Sequence, residues 1–273
     1  MGLRERIGID LGRKIRLEDG VEWAARHGVR FIDCEIDSEP NALRSFDDER
    51  VAGVRKPCER HGVRLGLHTL SAVNVAETSP FVSDAVDAYL RAYIDAARRL
   101  DAGWIVVHGG FHFTGDYKAR LAAPLERLKR TVGYAESAGV RLLLENLNKE
   151  PDDAEVHYLC YNIEECRYFF DRIQSPNLGW SFTVNHAHMV PGGIDGHIDN
   201  LELGRCGEVR LADNRGDREE HLMPGKGTID FARMFARIEE AGYRGHYMCA
   251  FGSLDDMLAG RDYLARAARN LPA

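Results

Sequence analysis

The chain has 273 residues, of which 44% are hydrophobic and 29% charged, so it can bury a large core as one barrel-sized domain or as two smaller ones. Its formal net charge is -7 and its pI is near 5.9, which argues against a protein that mainly grips phosphate backbones, and we expect no nucleic-acid partner. No stretch approaches the roughly 20 apolar residues of a membrane helix, so no membrane association is expected.

The cysteines indicate the compartment. They contain no C-x-x-C pair and are too sparse for a disulfide scaffold, so we expect reduced thiols in a cytoplasmic protein. The N-terminal segment MGLRERIGIDLG agrees with this expectation, because it is charged and lacks the apolar run of a signal peptide.

A repeated phrase organises the predicted elements: a helix, a glycine that ends it, a buried strand and a polar residue at the strand exit. It occurs as GVRF from residue 28, as GVRL from residue 62 and as GVRLLLE from residue 139. The predicted strands are Arg6–Asp10, Phe31–Ile36, Arg64–Thr69, Trp104–His108, a fifth through Leu142–Leu144, Leu178–Thr183, Glu208–Asp213 and Gly245–Phe251. The predicted helices are Leu17–His27, Asp47–His61, Thr78–Leu100, Lys118–Ser137, Ile163–Ile173, a short piece at Ile194–Leu203, Ile229–Ala241 capped by Thr228, and Leu254–Asn270.

Eight strand-helix units, spaced about 30 to 40 residues apart without a linker, predict a single (β/α)8 TIM barrel that spans residues 1–273. The alternative is an open doubly wound sheet. No G-x-G-x-x-G follows the first strand, and no G-x-x-x-x-G-K-[ST] occurs in the sequence. These absences disfavour the open sheet, and we expect no nucleotide cofactor.

The functional residues of such a barrel lie at the carboxyl ends of its strands. The residues at these ends are mostly of types that bind metals or transfer protons, and they are Asp10, Glu35, His68, His108, Glu145, Thr183 to His186, Arg210 to Asp213, and Ala250. His68, His108 and Glu145 leave three neighbouring strands. Two imidazoles and one carboxylate can hold a divalent ion such as zinc or manganese and leave positions open for water or substrate. Alternatively, these histidines are hydrogen-bonded walls of the pocket.

Two more histidines follow later strands. In Asn185-His186-Ala187-His188 the histidines alternate, so an extended backbone would turn only one of them towards the barrel axis, and we choose His186. His221 could reach the site from the loop after the seventh strand, or it could be a solvated loop residue.

The seventh strand carries Arg210 and Asp213, which cannot both point inward in regular strand geometry. Arg210 at the barrel mouth would be a forked donor for a substrate carboxylate or phosphate, or a partner for Glu145. A surface salt bridge is the alternative for this arginine.

Several short segments carry a family resemblance. They are Glu145-Asn146, His186-Ala187, Arg210-Leu211-Ala212-Asp213-Asn214 at the place of an H-x-x-D-N motif, and His221 followed by Pro224 to Asp230. Through these segments the chain resembles the xylose isomerase-like TIM-barrel superfamily of sugar phosphate isomerases and epimerases, to which the type-four abasic-site endonucleases are related. The resemblance runs along nearly the whole chain and implies a small-molecule carbohydrate substrate. We assign the substrate contacts to His68, His108, Asn146, Asp213 and His221.

The chain departs from the family at the usual metal site. Single-metal members take ligands from a Glu on the fifth strand, an Asp on the sixth, a His on the seventh and a Glu on the eighth. The residues at these positions here are Glu145, Thr183, Arg210 and Ala250. The endonuclease relatives hold one zinc ion on histidines of the third and fourth strands and on the shared Glu. This subset is retained, so His68, His108 and Glu145 are the candidate metal ligands.

We therefore expect an isomerase or lyase that acts on a small keto-sugar, polyol or sugar acid by proton transfer at a carbon next to a carbonyl. Glu145 would be the base or a metal ligand, His186 a proton carrier and Arg210 the anchor for an anionic or carbonyl group. Ala250 cannot be a second base, which favours one-base isomerisation, dehydration or decarboxylation. The alternatives are a non-catalytic sugar-binding or regulatory barrel and a metal-dependent hydrolase that uses the candidate ligands. The chain could form a homo-oligomer.

Overall fold

The computed structural model describes residues 2–268 of the chain. Its strands are β1 (Ile7–Gly12), β2 (Phe31–Cys34), β3 (Arg64–His68), β4 (Trp104–Val107), β5 (Phe111–Phe113), β6 (Leu142–Glu145), β7 (Val156–Tyr158), β8 (Leu178–Thr183), β9 (Cys206–Leu211) and β10 (His246–Cys249). Eight of them form a closed parallel barrel in the order β1-β10-β9-β8-β6-β4-β3-β2. The predicted (β/α)8 barrel is confirmed, and the open sheet is excluded because β1 pairs with both β2 and β10.

The other two strands, β5 and β7, form an antiparallel ribbon beside the barrel mouth, in which Phe111 pairs with Tyr158 and Phe113 with Val156. No strand was predicted at either place. Three-residue strands are too short to show a reliable alternation of polar and apolar residues.

Helices surround the barrel. They are α1 (Leu3–Arg6), α2 (Leu17–Arg26), α3 (Asp48–His61), α4 (Pro80–Leu100), α5 (Tyr117–Ala138), α6 (Ile163–Phe170), α7 (Val184–His188), α8 (Gly193–Asn200), α9 (Phe231–Glu240) and α10 (Leu254–Ala267). The end predicted for the last helix, Asn270, lies outside the described residues. Thr228 is not the N-cap of α9. Asp230 has this role, because its side chain accepts a hydrogen bond from the amide of Arg233.

The glycine of the repeated phrase ends each helix as predicted. Gly62 follows α3 with φ of 66°, and Gly139 follows α5 with φ of 69°. This left-handed conformation is strained for residues with a Cβ atom, so glycine turns the chain sharply from the helix into the next strand.

Alternate residues of each strand enter two different cores. On β4, Ile105 and Val107 pack outward in the large core between the sheet and the helices. Val106 points inward, into a small apolar cluster formed with Phe31, Trp104, Leu143 and Met248. This cluster fills the part of the barrel near the strand starts, and polar side chains fill the part near the strand ends.

No helix within residues 2–268 is both long and apolar enough to span a membrane. The six cysteines all carry free thiols, as the sequence analysis expected.

Candidate active site

A cavity of about 270 Å³ lies at the carboxyl ends of the barrel strands. Six of the eight residues predicted for the site line it, and they are His68, His108, Glu145, His186, Arg210 and His221. Asn146 and Asp213 do not. The cavity is polar because each parallel strand delivers its exit residue to the same end of the barrel.

His68, His108 and Glu145 form one compact group, here called the His68 triad. The Nε2 atoms of the two histidines are 3.2 Å apart. Glu145 Oε2 lies 3.1 Å from Nε2 of His108 and 3.5 Å from Nε2 of His68. The three side chains converge because β4 pairs with β3 on one side and with β6 on the other.

A threonine fixes the orientation of one imidazole in this triad. The hydroxyl of Thr69 donates to the carbonyl of Val106 at 3.0 Å, so it accepts the Nδ1–H of His108 at 3.2 Å. Burial lowers the pKa of His108, which keeps the ring neutral. We infer that Nε2 of His108 carries the lone pair, which is available to a metal ion or to the Nε2–H of His68.

Charge is distributed unevenly within the triad. Burial and the neighbouring Arg210 act to lower the pKa of His68, but the carboxylates of Asp33 and Glu145 outweigh them and raise it to about 10. Burial acts to raise the pKa of Glu145, but His108 and His68 hold it well below its ordinary value. Without a metal, the triad therefore contains an imidazolium, a neutral imidazole and a carboxylate.

A second compact group, the Glu219 triad, consists of His186, Glu219 and His221. Glu219 Oε1 lies 3.2 Å from Nε2 of His186 and 2.7 Å from Nε2 of His221. Each histidine donates its Nδ1–H to a backbone carbonyl, His186 to Asn146 at 2.8 Å and His221 to Ala250 at 2.6 Å. Both Nε2 atoms therefore face one carboxylate, and the three side chains could hold a proton or a metal ion.

The pKa of Glu219 and its hydrogen bonding agree with a triad that could hold a proton or a metal ion. Burial acts to raise the pKa of Glu219, but the two histidines lower it to about 2. Glu219 Oε2 and Asn185 Oδ1 are buried without a hydrogen-bond partner among residues 2–268. Unsatisfied acceptors at a cavity wall favour a ligand that brings hydrogen-bond donors or positive charge.

Arg210 points into the barrel as predicted, but its donors are engaged by protein carboxylates. Its Nη1 donates to Asp33 at 2.5 Å and to Glu208 at 2.9 Å, and its Nη2 donates to Asp10 at 2.7 Å. Glu208 also contacts Nε2 of His246 at 3.0 Å. These contacts differ from the expected free fork for substrate, and they differ from the surface salt bridge considered as the alternative.

Asn146 serves the site through its backbone. Its side chain donates to the carbonyl of Thr183 at 3.0 Å and accepts from the amide of Thr183 at 2.9 Å. The indole of Trp180 contacts the same amide oxygen at 3.3 Å. The substrate contact expected of this side chain is thus not supported by its position.

Asp213 holds a loop. Its carboxylate accepts hydrogen bonds from three backbone amides, those of Gly225, Gly227 and Ile229. Because these bonds engage both carboxylate oxygens away from the cavity, its expected role in substrate binding is not supported either. The bonds instead anchor the segment that follows His221.

His186 enters the cavity for a reason that differs from the predicted one. The backbone from Val184 to His188 is helical and not extended, so the alternation argument does not apply. His186 lies on the side of this short helix that faces the cavity, whereas His188 contacts the hydroxyl of Thr228 at 2.9 Å.

The residues that replace the usual metal ligands of the family, Thr183, Arg210 and Ala250, line the same cavity. Thr183 donates its hydroxyl to Glu145 Oε1 at 2.5 Å, and it takes no part in either triad. Ala250 presents a methyl group to the cavity and a carbonyl to His221.

Several cavity residues were absent from the predicted site, namely Asp10, Glu35, Asn185 and Glu219. Asp10, Glu35 and Asn185 were recognised only as residues at strand exits. Glu219 could have been predicted from its spacing to His221. The two residues are two positions apart, so their side chains point to the same side in an extended segment.

Comparisons with known proteins agree with this architecture. An uncharacterised protein of Methanocaldococcus jannaschii is 27% identical over 212 residues, which are 76% of this chain and 70% of that protein. A Danio rerio protein provisionally named hydroxypyruvate isomerase is 23% identical over 182 residues, 65% of this chain and 64% of its own length. The crystal structure of a D-tagatose 3-epimerase-like protein superposes with a TM-score of 0.83 at 21% identity and covers 97% of both chains.

The family profile described as "Xylose isomerase-like TIM barrel" matches residues 21–268. This match covers most of the sequence and confirms the resemblance derived from the Glu145, His186, Arg210 and His221 segments. The chain therefore belongs to the xylose isomerase-like TIM-barrel family.

Proposed function

We propose that the chain is a metal-dependent isomerase of a small keto-sugar, polyol or sugar acid and moves a proton at a carbon next to a carbonyl. The observation that carries this proposal is the geometry of the His68 triad, whose ligand atoms are separated by 3.1 to 3.5 Å. Ligands of a tetrahedral ion with bonds of about 2.0 to 2.1 Å are separated by about 3.3 Å. The relatives named as isomerases and epimerases support the same class.

The donor set also fits a divalent ion chemically. Two imidazoles and one carboxylate leave at least one position open, and the hydrogen bond from His108 to Thr69 is the kind of outer contact that orients a metal-bound histidine. A divalent ion held there supplies a Lewis acid for an oxygen of the substrate. Glu145 is then an anionic ligand, since its lowered pKa makes it a weak base.

The Glu219 triad supplies a proton carrier. Because Nδ1 of His186 is held by the Asn146 carbonyl, Nε2 is the atom that takes up or releases a proton. Glu219 stabilises the imidazolium that forms. His186 also lies 3.8 Å from Glu145, so both triads border the same substrate volume.

Solvent exchange tests this proposal without knowledge of the product. Protein stripped of metal and reloaded with zinc, manganese or cobalt would be incubated in D₂O with a panel of ketoses and hydroxy-keto acids. We expect deuterium to appear by NMR at the carbon next to the carbonyl of one substrate class, and only in metal-loaded protein. Exchange at the same rate after chelation would contradict a metal-dependent reaction.

A metal-dependent hydrolase is a second candidate, because two groups with metal-binding geometry share one cavity. Paired metal ions can clamp the attacking and leaving oxygens of a hydrolysed ester. Two metal ions per chain by elemental analysis, together with cleavage of a phosphate ester and no deuterium exchange, would favour this function over isomerisation.

Replacing Thr69 by valine should weaken metal binding while the barrel stays folded. The variant removes the acceptor that fixes Nδ1–H of His108, and loss of such an outer contact costs about 10 to 100-fold in metal affinity. Chelator competition measures the change. Thr131→Val is the matched control, since the Thr131 hydroxyl is also buried and, among residues 2–268, bonds only a helix carbonyl, that of Arg127. Equal affinities in the two variants would argue against a metal on His108.

Metal binding should release one proton from His68. Because the pKa of this imidazole is raised to about 10, it is protonated in metal-free protein at neutral pH and must lose that proton before it can ligate. The apparent metal affinity should then rise about tenfold per pH unit between about pH 7 and 9 and level off above about pH 10. Calorimetry in buffers of different ionisation enthalpy counts the proton, and a pH-independent affinity would exclude His68 as a ligand.

A further inference from the structure

A pocket of about 180 Å³ opens at the opposite end of the barrel, where the strands begin. Its charged lining residues are Arg64 at the start of β3, Arg141 just before β6, and Arg244 just before β10. Trp104 and His246 form its aromatic floor, with ring centroids 4.2 Å apart. We call this the lower pocket.

The lower pocket carries concentrated positive charge. None of its lining residues is an aspartate or glutamate, although the chain as a whole has a net charge of -7. Within residues 2–268, Arg64 and Arg141 form no salt bridge, and Arg244 reaches Glu239 only at 3.9 Å. Glu208 lies behind the floor, where its carboxylate is engaged by His246 and Arg210. Guanidinium groups that share a concave pocket with no carboxylate in its lining attract an anion.

Arg141 has an unmet hydrogen-bonding requirement. Its Nε is buried without a partner among the described residues, while its Nη2 donates to the carbonyl of Arg205 at 3.0 Å. A buried guanidinium N–H without an acceptor is rare in folded proteins, and each case calls for an explanation. An oxygen of a bound anion would satisfy it.

Glycines on neighbouring strands leave room for these side chains. A Cβ atom at Gly179 would lie 2.8 Å from Nη2 of Arg141, and one at Gly207 would lie 2.6 Å from Leu143. Arg64 lies over the ring of Phe31, with its Cζ 5.7 Å from the ring centroid. The arginines are thus held at the pocket by packing and by the lack of competing side chains.

We propose that the lower pocket binds a phosphate group, either as inorganic phosphate or as the phosphate of a small monoester. A guanidinium fork matches two phosphate oxygens, and a dianion can engage more than one arginine. The volume suits the phosphate group, while the rest of an ester would extend into solvent. This site is separate from the catalytic cavity and does not depend on the proposed reaction.

Isothermal titration calorimetry of the whole chain with inorganic phosphate tests the site, at pH 8 and with ionic strength balanced by sodium chloride. We expect one saturable site per chain. Arg64→Gln and Arg141→Gln should each weaken it at least tenfold, and Arg91→Gln, which removes the same charge from the surface of α4, should leave it unchanged. If Arg141→Gln does not fold, Arg64→Gln still tests the site. Arg64 is exposed, so its replacement should not disturb the fold.

Two further measurements test where the phosphate binds and whether the site takes the free ion or a monoester. His68→Ala, which removes a basic side chain from the catalytic cavity, should retain the site, and loss of binding in this variant would place the phosphate in that cavity and overturn the proposal. Titrations with glycerol phosphate and, as a control without phosphate, with glycerol distinguish an ester site from a site for the free ion. An ester site binds glycerol phosphate at least as tightly as inorganic phosphate, whereas a site for the free ion binds it more weakly. Absence of saturable binding, or equal affinity in both pocket variants and wild type, would also overturn it.

Discussion

Arg210→Met is expected to lower the free energy of unfolding by about 3 to 5 kcal/mol, because it leaves the buried Asp33 and Glu208 and the partly buried Asp10 without their cationic partner. Methionine fills part of the volume but provides no positive charge. Arg210→Lys should recover only part of the loss, since an ammonium cannot reproduce contacts from both Nη atoms at fixed angles. Urea denaturation monitored by circular dichroism measures both variants.

Arg237→Met is the matched control for this experiment. Arg237 also contacts two carboxylates, those of Asp195 and Asp199, but these ion pairs lie on the surface, and the change should cost less than about 1 kcal/mol. A triple variant, Arg210→Met with Asp33→Asn and Glu208→Gln, should be more stable than Arg210→Met alone, because it removes the uncompensated charges. If Arg210→Met and Arg237→Met were equally stable, the buried cluster would not contribute as its burial implies.

Glu145→Gln is expected to abolish metal binding and, because the proposed reaction depends on the bound ion, to reduce deuterium exchange by about 10²-fold or more. The amide keeps the shape of the side chain, and it can still accept the Thr183 hydroxyl and donate to Nε2 of His108. The metal-free barrel should therefore stay folded, with a moderate loss of stability because the imidazolium of His68 loses the carboxylate of Glu145 and keeps that of Asp33 as a partner. Elemental analysis and NMR exchange on the same preparation provide the two measurements.

Glu35→Gln provides the comparison for Glu145→Gln. Glu35 is another half-buried carboxylate of the cavity, but it belongs to neither triad. It should retain full metal content. Wild-type exchange and metal content in Glu145→Gln would refute the assignment of Glu145 to the site, whatever the substrate proves to be.

The sequence predicted those parts of the site that follow from strand topology. His68, His108 and Glu145 each stand at the end of a buried strand, and adjacent parallel strands must bring such residues together. The fold followed from a related regularity, because eight predicted strands alternate with helices and three of the units repeat the phrase of helix, glycine and strand.

Other features depend on contacts that local patterns do not contain. The carboxylate partners of Arg210 include Asp10 and Asp33, which are 200 and 177 residues away in the chain. Asn146 and Asp213 have the residue types of a site, but both turn back to bind backbone groups. A buried polar side chain that satisfies the backbone and one that contacts a ligand look alike in sequence, because both follow strand ends.

The buried Arg210 cluster also constrains how the protein can evolve. In the family pattern the corresponding position holds a metal-binding histidine. A metal ion can leave such a site and return when the ion is available, whereas the positive charge of Arg210 is a permanent part of the chain. Arg210→His alone would leave three acidic groups facing an imidazole in the middle of the barrel. An ion site on the family pattern would also need an acid in place of Thr183 and another in place of Ala250. Exchange of the arginine for histidine is therefore expected to pass through a less stable protein unless the surrounding acids change with it.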